Sequence, residues 1–301
     1  APTPVSAYLH SATMVKLGVY LLARLDPAFG DRGAWQAALV VVGSYTAAWC
    51  IVQVVRERDL KRVLAWSTVA ALGTLVMLVG LPGDGAAIAV ATFLVAHALY
   101  KAPLFFVAGN VDHGTGTRII DNLGGLRVAM PWTAAAALLA GVSMAGLPTS
   151  FGYIAKDVIA TEKDALDTGL LDVGKYANYV FSAVGVAVAA VAAIRVFWRH
   201  PGRNETCEAH EGPLAMTMPP IVVALCGVVL GIHPAFADAL LAEAARAMTP
   251  GAGGPLVMLK LEAGTTLKSL ALTFSLGAVV FWFWDQIHGA FEQVRGRMHG
   301  F

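Results

Sequence analysis

The sequence predicts an all-α integral membrane protein, a polytopic helical bundle of about eight transmembrane segments, one of them broken. Of its 301 residues 57% are hydrophobic and only 14% are charged, whereas soluble domains carry about 25% charged residues. Apolar runs of about 20 residues recur along the chain, long enough for a helix to cross a hydrocarbon core about 30 Å thick. The net charge of +1 gives no basis for a nucleic-acid partner.

Each of the predicted segments is a long apolar stretch. They cover residues 5–25, 34–55, 60–80, 86–110, 130–163, 176–198, 214–235 and 267–286. A short amphipathic helix at the membrane interface is predicted over 236–248, and 249–256 is a loop.

The fifth segment is too long for one straight helix and contains the predicted break. Its central stretch AGLPTSFGYIAKD includes Gly146, Pro148 and Gly152. Proline lacks a hydrogen-bond donor and clashes with the preceding turn, so we expect two half-helices joined by unwound backbone. Pro103 is a second candidate break, because it removes the bond to the Leu99 carbonyl within segment 86–110.

The loops indicate an orientation, and the cysteines exclude a metal or redox motif. One set of alternate loops is richer in lysine and arginine (Arg56, Arg58, Lys61, Arg62, Arg118, Arg127, Arg199 and Arg203), which places it in the cytoplasm. Cys50, Cys207 and Cys226 lie far apart, so no cofactor or metal is predicted, and the first and last of them are expected to be packing residues. The sequence opens inside an apparent membrane segment, which we interpret as a fragment or a processed chain.

Lys101 and His97 are the strongest candidates for a functional site. A lysine near the centre of a spanning helix costs roughly 2.5–3.5 kcal/mol, so it needs a reason to be there. His97 lies four residues earlier, so both side chains project from one helix face. The alternative is a lysine whose long side chain reaches the interface.

Four more cations extend the candidate set: Lys156, Lys16, His10 and Lys61. Lys156 follows the predicted break, where transporters often bind their ions, although it could also mark a helix end. Lys16 and His10 share a polar first segment that should face protein or water rather than lipid. Lys61 opens the third span, either as a cytoplasmic anchor or as a proton-path residue.

Such a set of side chains suggests a proton relay. Desolvation can lower the affinity of a lysine for its proton until it exchanges near neutral pH. Histidine exchanges protons there without any perturbation. Lysines and histidines spread over several helices, with few internal acids, therefore suggest a proton wire within the membrane.

Several stretches of the chain resemble a known family. They are PTPVSAYLHSATMVKLGVYLLARL (2–25), DLKRVLAWSTVAALG (59–73), HALYKAPLF (97–105), GGLR (124–127) and LPTSFGYIAKD (147–157). They are similar to the proton-conducting antiporter-like subunits of respiratory complex I, and most of all to the large A-type subunits of Mrp-type multisubunit cation/proton antiporters. The DHGTGTR loop (112–118) and MLKLEAGTT (258–266) favour the Mrp branch.

The resemblance implies two inverted five-helix bundles, each with a broken helix, whose half-channels meet in a central polar axis. Residues 1–200 would form the second bundle, and 201–301 a C-terminal membrane extension with the short amphipathic helix and a further transmembrane helix. It implies path residues at His10, Lys61, His97, Lys101 and Lys156, with a less defined role for Lys16. The first bundle, with the family's glutamate–lysine pair, is missing from the sequence, so we expect the chain alone not to complete a transport cycle.

Two positions depart from the family pattern. Complex I relatives carry a second histidine where this chain has Phe93, and STVSQ is replaced around Val69, Ala70 and Ala71. Both changes remove polar side chains and are expected to narrow a water path.

The leading hypothesis is a proton-translocating subunit of a multisubunit Na⁺/H⁺ antiporter, a secondary transporter and not an enzyme. It would be a multi-pass protein of the plasma (inner) membrane, with other antiporter subunits and the lipid bilayer as partners and protons and Na⁺ as transported ions. One alternative is the proton-pumping subunit of a redox complex related to complex I or to a membrane-bound hydrogenase. The other is a structural scaffold without a working channel.

Overall fold

The computed structural model describes residues 3–11, 13–164, 169–198, 209–249 and 265–298. Within these ranges the regular structure is helical, apart from one isolated β-bridge between Asp59 and Ile119. The α-helices are α1 (Thr3–Ser11), α2 (Leu17–Phe29), α3 (Gly33–Arg56), α4 (Leu60–Val79), α5 (Asp84–Thr115), α6 (Pro131–Ala145), α7 (Phe151–Asp164), α8 (Gly169–Ala190), α9 (Val196–Trp198), α10 (Leu214–Ile232), α11 (Ala235–Arg246), α12 (Thr265–Trp282) and α13 (Trp284–Met298).

The described helices account for the eight predicted hydrophobic segments. Five are long and apolar enough to cross a membrane: α3, α4, α5, the carboxyl-terminal part of α8 with its continuation through α9, and α10. Helices α12 and α13 bend by 58° at their junction and make a sixth candidate span if they are counted together. The other two segments are each split into shorter helices, α1 with α2 and α6 with α7. The all-α polytopic fold is therefore confirmed.

The predicted break in the fifth segment lies between α6 and α7. Gly146 ends α6 in the left-handed region at φ +79°, where glycine has no steric penalty. Pro148 lies in the linking turn, and Thr149 has φ +75°, an uncommon conformation for a β-branched residue. Gly152 has a different role from the one expected, because it lies inside α7. A Cβ there would be 1.8 Å from the Ser143 carbonyl oxygen, so Gly152 allows the two half-helices to touch.

The first segment is also interrupted, which the sequence pattern does not predict. Helix α1 ends at Ser11, and a 3₁₀ turn over Met14–Lys16 leads into α2. Thr13 has non-helical angles, φ −125° and ψ −87°, and its hydroxyl donates to the Tyr8 carbonyl at 3.1 Å. A threonine side chain that bonds to the main chain in this way competes with the helical hydrogen bonds.

Pro103 does not break its helix, contrary to expectation. Helix α5 is assigned as a single helix from Asp84 to Thr115 with Pro103 inside it. Proline removes one main-chain donor, and α5 is held in place because α1, α4, α6, α7 and α10 all pack against it. The loop expected at 112–118 starts only after Gly116, which ends α5 in the left-handed region.

The helices after residue 209 pack directly on the bundle. Helix α10 contacts α5, α6 and α7, and α12 contacts α8. Helix α8 continues through a π-helical turn, Val191–Arg195, and the buried Arg195 pairs with Asp121 at 2.9 Å and with Asp285 at 2.6 Å. These ion pairs fix the start of α13 to the loop after α5.

The amphipathic helix expected at 236–248 corresponds to α11, with Phe236 exposed and Leu241 buried. Cys50 is buried as expected, but Cys226 is exposed on α10. The packing role predicted for Cys226 is therefore wrong within the described chain, because the apolar run around it turns that face outward. Cys207 lies outside the described residues.

Candidate functional site

The central helix α5 buries the two strongest candidates. His97 is 0% exposed and Lys101 is 1% exposed. The Lys101 ammonium group donates to the Ser67 hydroxyl and, at 3.3 Å, to the Leu64 carbonyl. Both acceptors come from the first half of α4, and both are uncharged.

Lys16 reaches the same region from the interruption between α1 and α2. Its side chain is buried, and its Nζ donates to the Leu94 carbonyl of α5 at 2.8 Å. Leu94 lies three residues before His97 on α5, and Lys101 lies four residues after it. His97 is therefore near both ammonium groups.

The ring of His97 is unusual because it is buried without hydrogen bonds among the described residues. Among the described residues, neither Nδ1 nor Nε2 has a hydrogen-bond partner. The ring packs edge-on against Phe93 and Tyr100, with centroid distances of 6.2 and 5.4 Å. Burying an unsatisfied polar group costs about 1–3 kcal/mol, so packing alone is a poor reason for a histidine at this position.

Lys156 is held by the broken helix itself. Its Nζ donates to the carbonyl of Ala145, the last residue of α6, at 2.7 Å. The side chain lies over Gly146, where a Cβ would be 2.6 Å from the Lys156 Cδ. The last carbonyls of a helix lack intrahelical partners and form the negative end of its dipole. The break thus supplies an acceptor for a cation without any carboxylate.

A small cavity connects Lys101 with Lys156. It has a volume of about 30 Å³ and is lined by both lysines, together with Ser67, Phe93, Tyr100 and Ser182 among others. A cavity needs roughly 10–15 Å³ to hold a water molecule, so this one has room for water. Most of its other lining residues are apolar, and they include Phe93, Ala70 and Ala71. Three of the four positions that depart from the family pattern therefore line the space between the two lysines, whereas Val69 does not.

The other two predicted site residues lie elsewhere. Lys61 is at the start of α4, in the first turn that Asp59 caps, and it does not line this cavity. The same Asp59 pairs with Arg118 at 3.2 Å. His10 belongs to α1, and its side chain lies outside the part of the chain that the structure describes.

The sequence analysis did not predict the groups that accept hydrogen bonds from Lys16, Lys101 and Lys156. Ser67 is a polar residue within an apolar span, which was a usable signal. The carbonyls of Leu64, Leu94 and Ala145 carry no sequence signal, because every residue has one.

The fold and this site define a polytopic membrane protein with ionisable groups held in its interior. More narrowly, the chain belongs to the NADH:quinone oxidoreductase/Mrp antiporter transmembrane family, whose model matches residues 1–170. This finding confirms the resemblance seen in the sequence motifs.

Relatives of known name place the chain closer to one branch of the family. It is 37% identical over 267 residues to the A-type Na⁺/H⁺ antiporter subunit of Alkalihalophilus pseudofirmus. It is 36% identical over 256 residues to the A1-type Na⁺/H⁺ antiporter subunit of Staphylococcus aureus. Each match covers 78% of this chain but 32% of the relative. The chain therefore spans about a third of the length of the curated relatives it matches.

Solved structures show the same fold. The Mrp complex from Dietzia sp. DQ12-45-1b contains a chain with a TM-score of 0.82 and 34% identity, which covers 93% of this chain and 30% of that one. A chain of an archaeal membrane-bound sulfane sulfur reductase has a TM-score of 0.70, covering 91% of this chain and 52% of that one. At 20% identity, the second likeness is a likeness of fold alone.

Proposed function

We propose that the chain conducts protons as part of a multisubunit Na⁺/H⁺ antiporter of the plasma membrane. The names of its relatives and its likeness to a chain of an Mrp complex support this proposal. The remaining subunits of such an assembly are its proposed partners. Residues 1–200 are proposed as the second antiporter-like bundle, followed by a membrane extension over 201–301.

One observation carries the proposal: the hydrogen bonds found for three lysines within the bundle all end on neutral acceptors. Lys16 and Lys156 donate to carbonyls, and Lys101 donates to a carbonyl and a hydroxyl. A buried carboxylate would be left uncompensated if its lysine partner lost a proton. A neutral amine still donates N–H to the same carbonyl, so the proton leaves without stranding an anion.

The proposed route runs through Lys16, His97 and Lys101, then through water in the shared cavity to Lys156. Two unit charges about 8 Å apart repel by roughly 2 kcal/mol at an effective dielectric constant near 20. Charging one lysine therefore favours proton loss from the next. His97 passes protons between its neighbours, and Lys61 and His10 are proposed as further stations of the route.

The experiment compares two substitutions at Lys101 and at Lys156 within the assembled complex. Alanine removes the cation, whereas arginine keeps a charge that cannot be released in proteins. Na⁺-driven proton movement is followed with a pH-sensitive dye in inverted vesicles. Both substitutions should abolish transport at either position, and Arg246→Ala, which removes an exposed cation from α11, should leave it unchanged.

The two substitutions separate a proton carrier from a fixed charge. Normal transport with arginine would show that only the positive charge matters. Normal transport with alanine at both positions would favour a structural scaffold. Complex assembly, checked on native gels, identifies any variant that fails to fold.

A further inference from the structure

A second, larger pocket opens where the end of α5 meets the start of α10. Its volume is about 390 Å³, and it is lined by Phe106, Gly109, Asn110, Asp112, His113, Ala215 and Met216. None of these residues lines the cavity between Lys101 and Lys156. The pocket has room for many water molecules by volume, and none of the proton-route residues proposed above lines it.

Two ionisable residues, Asp112 and His113, line this pocket, and a second histidine lies beside it. His113 is exposed at its edge, and its ring lies 6.1 Å from that of His210, which is exposed as well. Asn110, 2% exposed, donates to the Thr133 hydroxyl at 3.2 Å and to the Met216 carbonyl at 3.1 Å. These bonds join α5, α6 and α10 around the pocket.

The segment that carries His210 is fixed in position. The Glu211 carboxylate accepts from the main-chain N–H of Trp132 at 2.9 Å and of Thr133 at 3.3 Å, and from the Thr133 hydroxyl. An acceptor at the first turn of a helix satisfies donors that have no intrahelical partner. The histidine pair is thus set beside the pocket by a defined contact.

A chain of charges leads from the pocket to Lys61. The Asp112 carboxylate pairs with Arg118 at 3.4 Å, and Arg118 pairs with Asp59 at 3.2 Å. Asp59 also accepts from the main-chain N–H of Lys61 at 2.8 Å, which places this ion-pair series at the start of α4. The end of the DHGTGTR motif is therefore attached to the start of α4.

We propose that this pocket collects protons for the route through the membrane, and this inference rests on the function proposed above. His113 and His210 take protons from hydronium or a buffer acid, and Asp112 passes them on to Lys61. Histidine exchanges protons near neutral pH, and an aspartate at a water-filled mouth attracts cations. Each step is a proton transfer, in which one base gains what its neighbour loses.

The first test measures proton uptake from the arginine-rich face of the assembled complex. Asp112→Asn, and separately the double variant His113→Ala with His210→Ala, should slow uptake about tenfold in dilute buffer at alkaline pH, the low end of electrostatic effects on association. A high concentration of imidazole, a mobile proton carrier, should restore the rate. Asp121→Asn, which removes another carboxylate from the same face, should show no imidazole-dependent change.

The same experiment defines what overturns the inference. Uptake that stays at the parent rate in dilute buffer, or that stays slow in imidazole, would exclude a collecting role. Asp112→Glu keeps the carboxylate and should transport normally, so a failure of this variant as well would assign Asp112 a structural role.

A second test needs no transport activity. In a variant with its three native cysteines replaced by serine, Ala215→Cys should react quickly with a membrane-impermeant thiol reagent from the arginine-rich face. Leu225→Cys, exposed on the same helix, should react slowly because it faces lipid. An unreactive Ala215→Cys would overturn the pocket as an entrance. Normal transport with alanine at both Lys101 and Lys156 would instead overturn the proposed function and the route that the pocket serves, whereas a reactive Ala215→Cys would still show that the pocket is open to water.

Discussion

Gly152→Ala tests the contact between the two half-helices most directly. A Cβ at this position would lie 1.8 Å from the Ser143 carbonyl oxygen and 2.7 Å from its carbon. Both atoms belong to the main chain of α6, so no side-chain rotation relieves the overlap. Ordinary contact begins at 3.4 Å, about 1.6 Å beyond the present distance to the oxygen, so α7 has to move away from α6.

The size of the effect follows from what moves with α7. Gly152 and Lys156 lie four residues apart on one helix face, so a shift of α7 takes Lys156 with it. Its 2.7 Å bond to the Ala145 carbonyl would then exceed hydrogen-bond distance. Overpacking costs about 1–3 kcal/mol, and losing a bond to a charged group costs about 1.5–3 kcal/mol. The overpacking cost bears on folding stability, whereas the lost bond acts on Lys156 itself. At 1.36 kcal/mol for each tenfold change, that bond alone corresponds to a fall in transport of about tenfold or more.

The assay is Na⁺-driven proton transport in inverted vesicles, with thermal unfolding of the assembled complex measured in parallel. Gly289→Ala is the matched control, because Gly289 lies inside α13, away from the Lys101–Lys156 cavity, and a Cβ there meets nothing within 4 Å. It should leave transport unchanged. If Gly152→Ala retained the transport rate and melting temperature of the parent, the close approach of the half-helices would not position Lys156.

Three further outcomes are expected. Arg195→Leu should lower the free energy of unfolding by about 1–3 kcal/mol. This is less than for a fully buried ion pair, because the carboxylate partners of Arg195 remain partly exposed. As a control, Arg246→Leu, which removes an exposed ion pair, should change the free energy of unfolding by less than about 0.5 kcal/mol. His97→Leu should abolish transport while leaving the melting temperature of the complex equal or higher, because an unsatisfied polar group is removed; a large drop in melting temperature would assign the ring a structural role. Ser67→Val should destabilise the complex by about 1.5–3 kcal/mol, because the Lys101 ammonium group loses one of its acceptors. Adding Lys101→Met to this variant should restore stability but not transport. A double-mutant cycle measures this coupling.

The two interruptions show what sequence can and cannot predict. The break before Lys156 was predictable because Gly146 and Pro148 supply a left-handed residue and a missing donor at one place. The break before Lys16 was not, because Ser11, residue 12 and Thr13 stand where a helix could continue. Two contacts accompany that break. The Thr13 hydroxyl donates to the Tyr8 carbonyl within the segment, and the Lys16 ammonium group bonds to α5, a tertiary contact that no local pattern shows.

The candidate site divides in the same way. The cations were visible as charges within apolar runs, so Lys101, His97 and Lys156 could be named from the sequence. Pro103 was misjudged because six other described helices, α1, α4, α6, α7, α10 and α11, pack around α5, which no local pattern shows. The pocket near Asp112 depends on the meeting of α5 with α10, more than 90 residues apart in sequence.

The seam between α3 and α4 limits how such a protein could change shape. A Cβ at Gly43 would lie 2.5 Å from the main-chain nitrogen of Met77, and a Cβ at Gly73 would lie 2.7 Å from that of Ala47. Two backbones this close interlock and resist sliding past each other. Ser67 and Leu64 belong to α4, so the two groups that accept from the Lys101 ammonium are part of this rigid helix pair. A conformational change at Lys101 therefore has to involve its own flexible side chain or a movement of α5, while α3 and α4 stay fixed relative to each other.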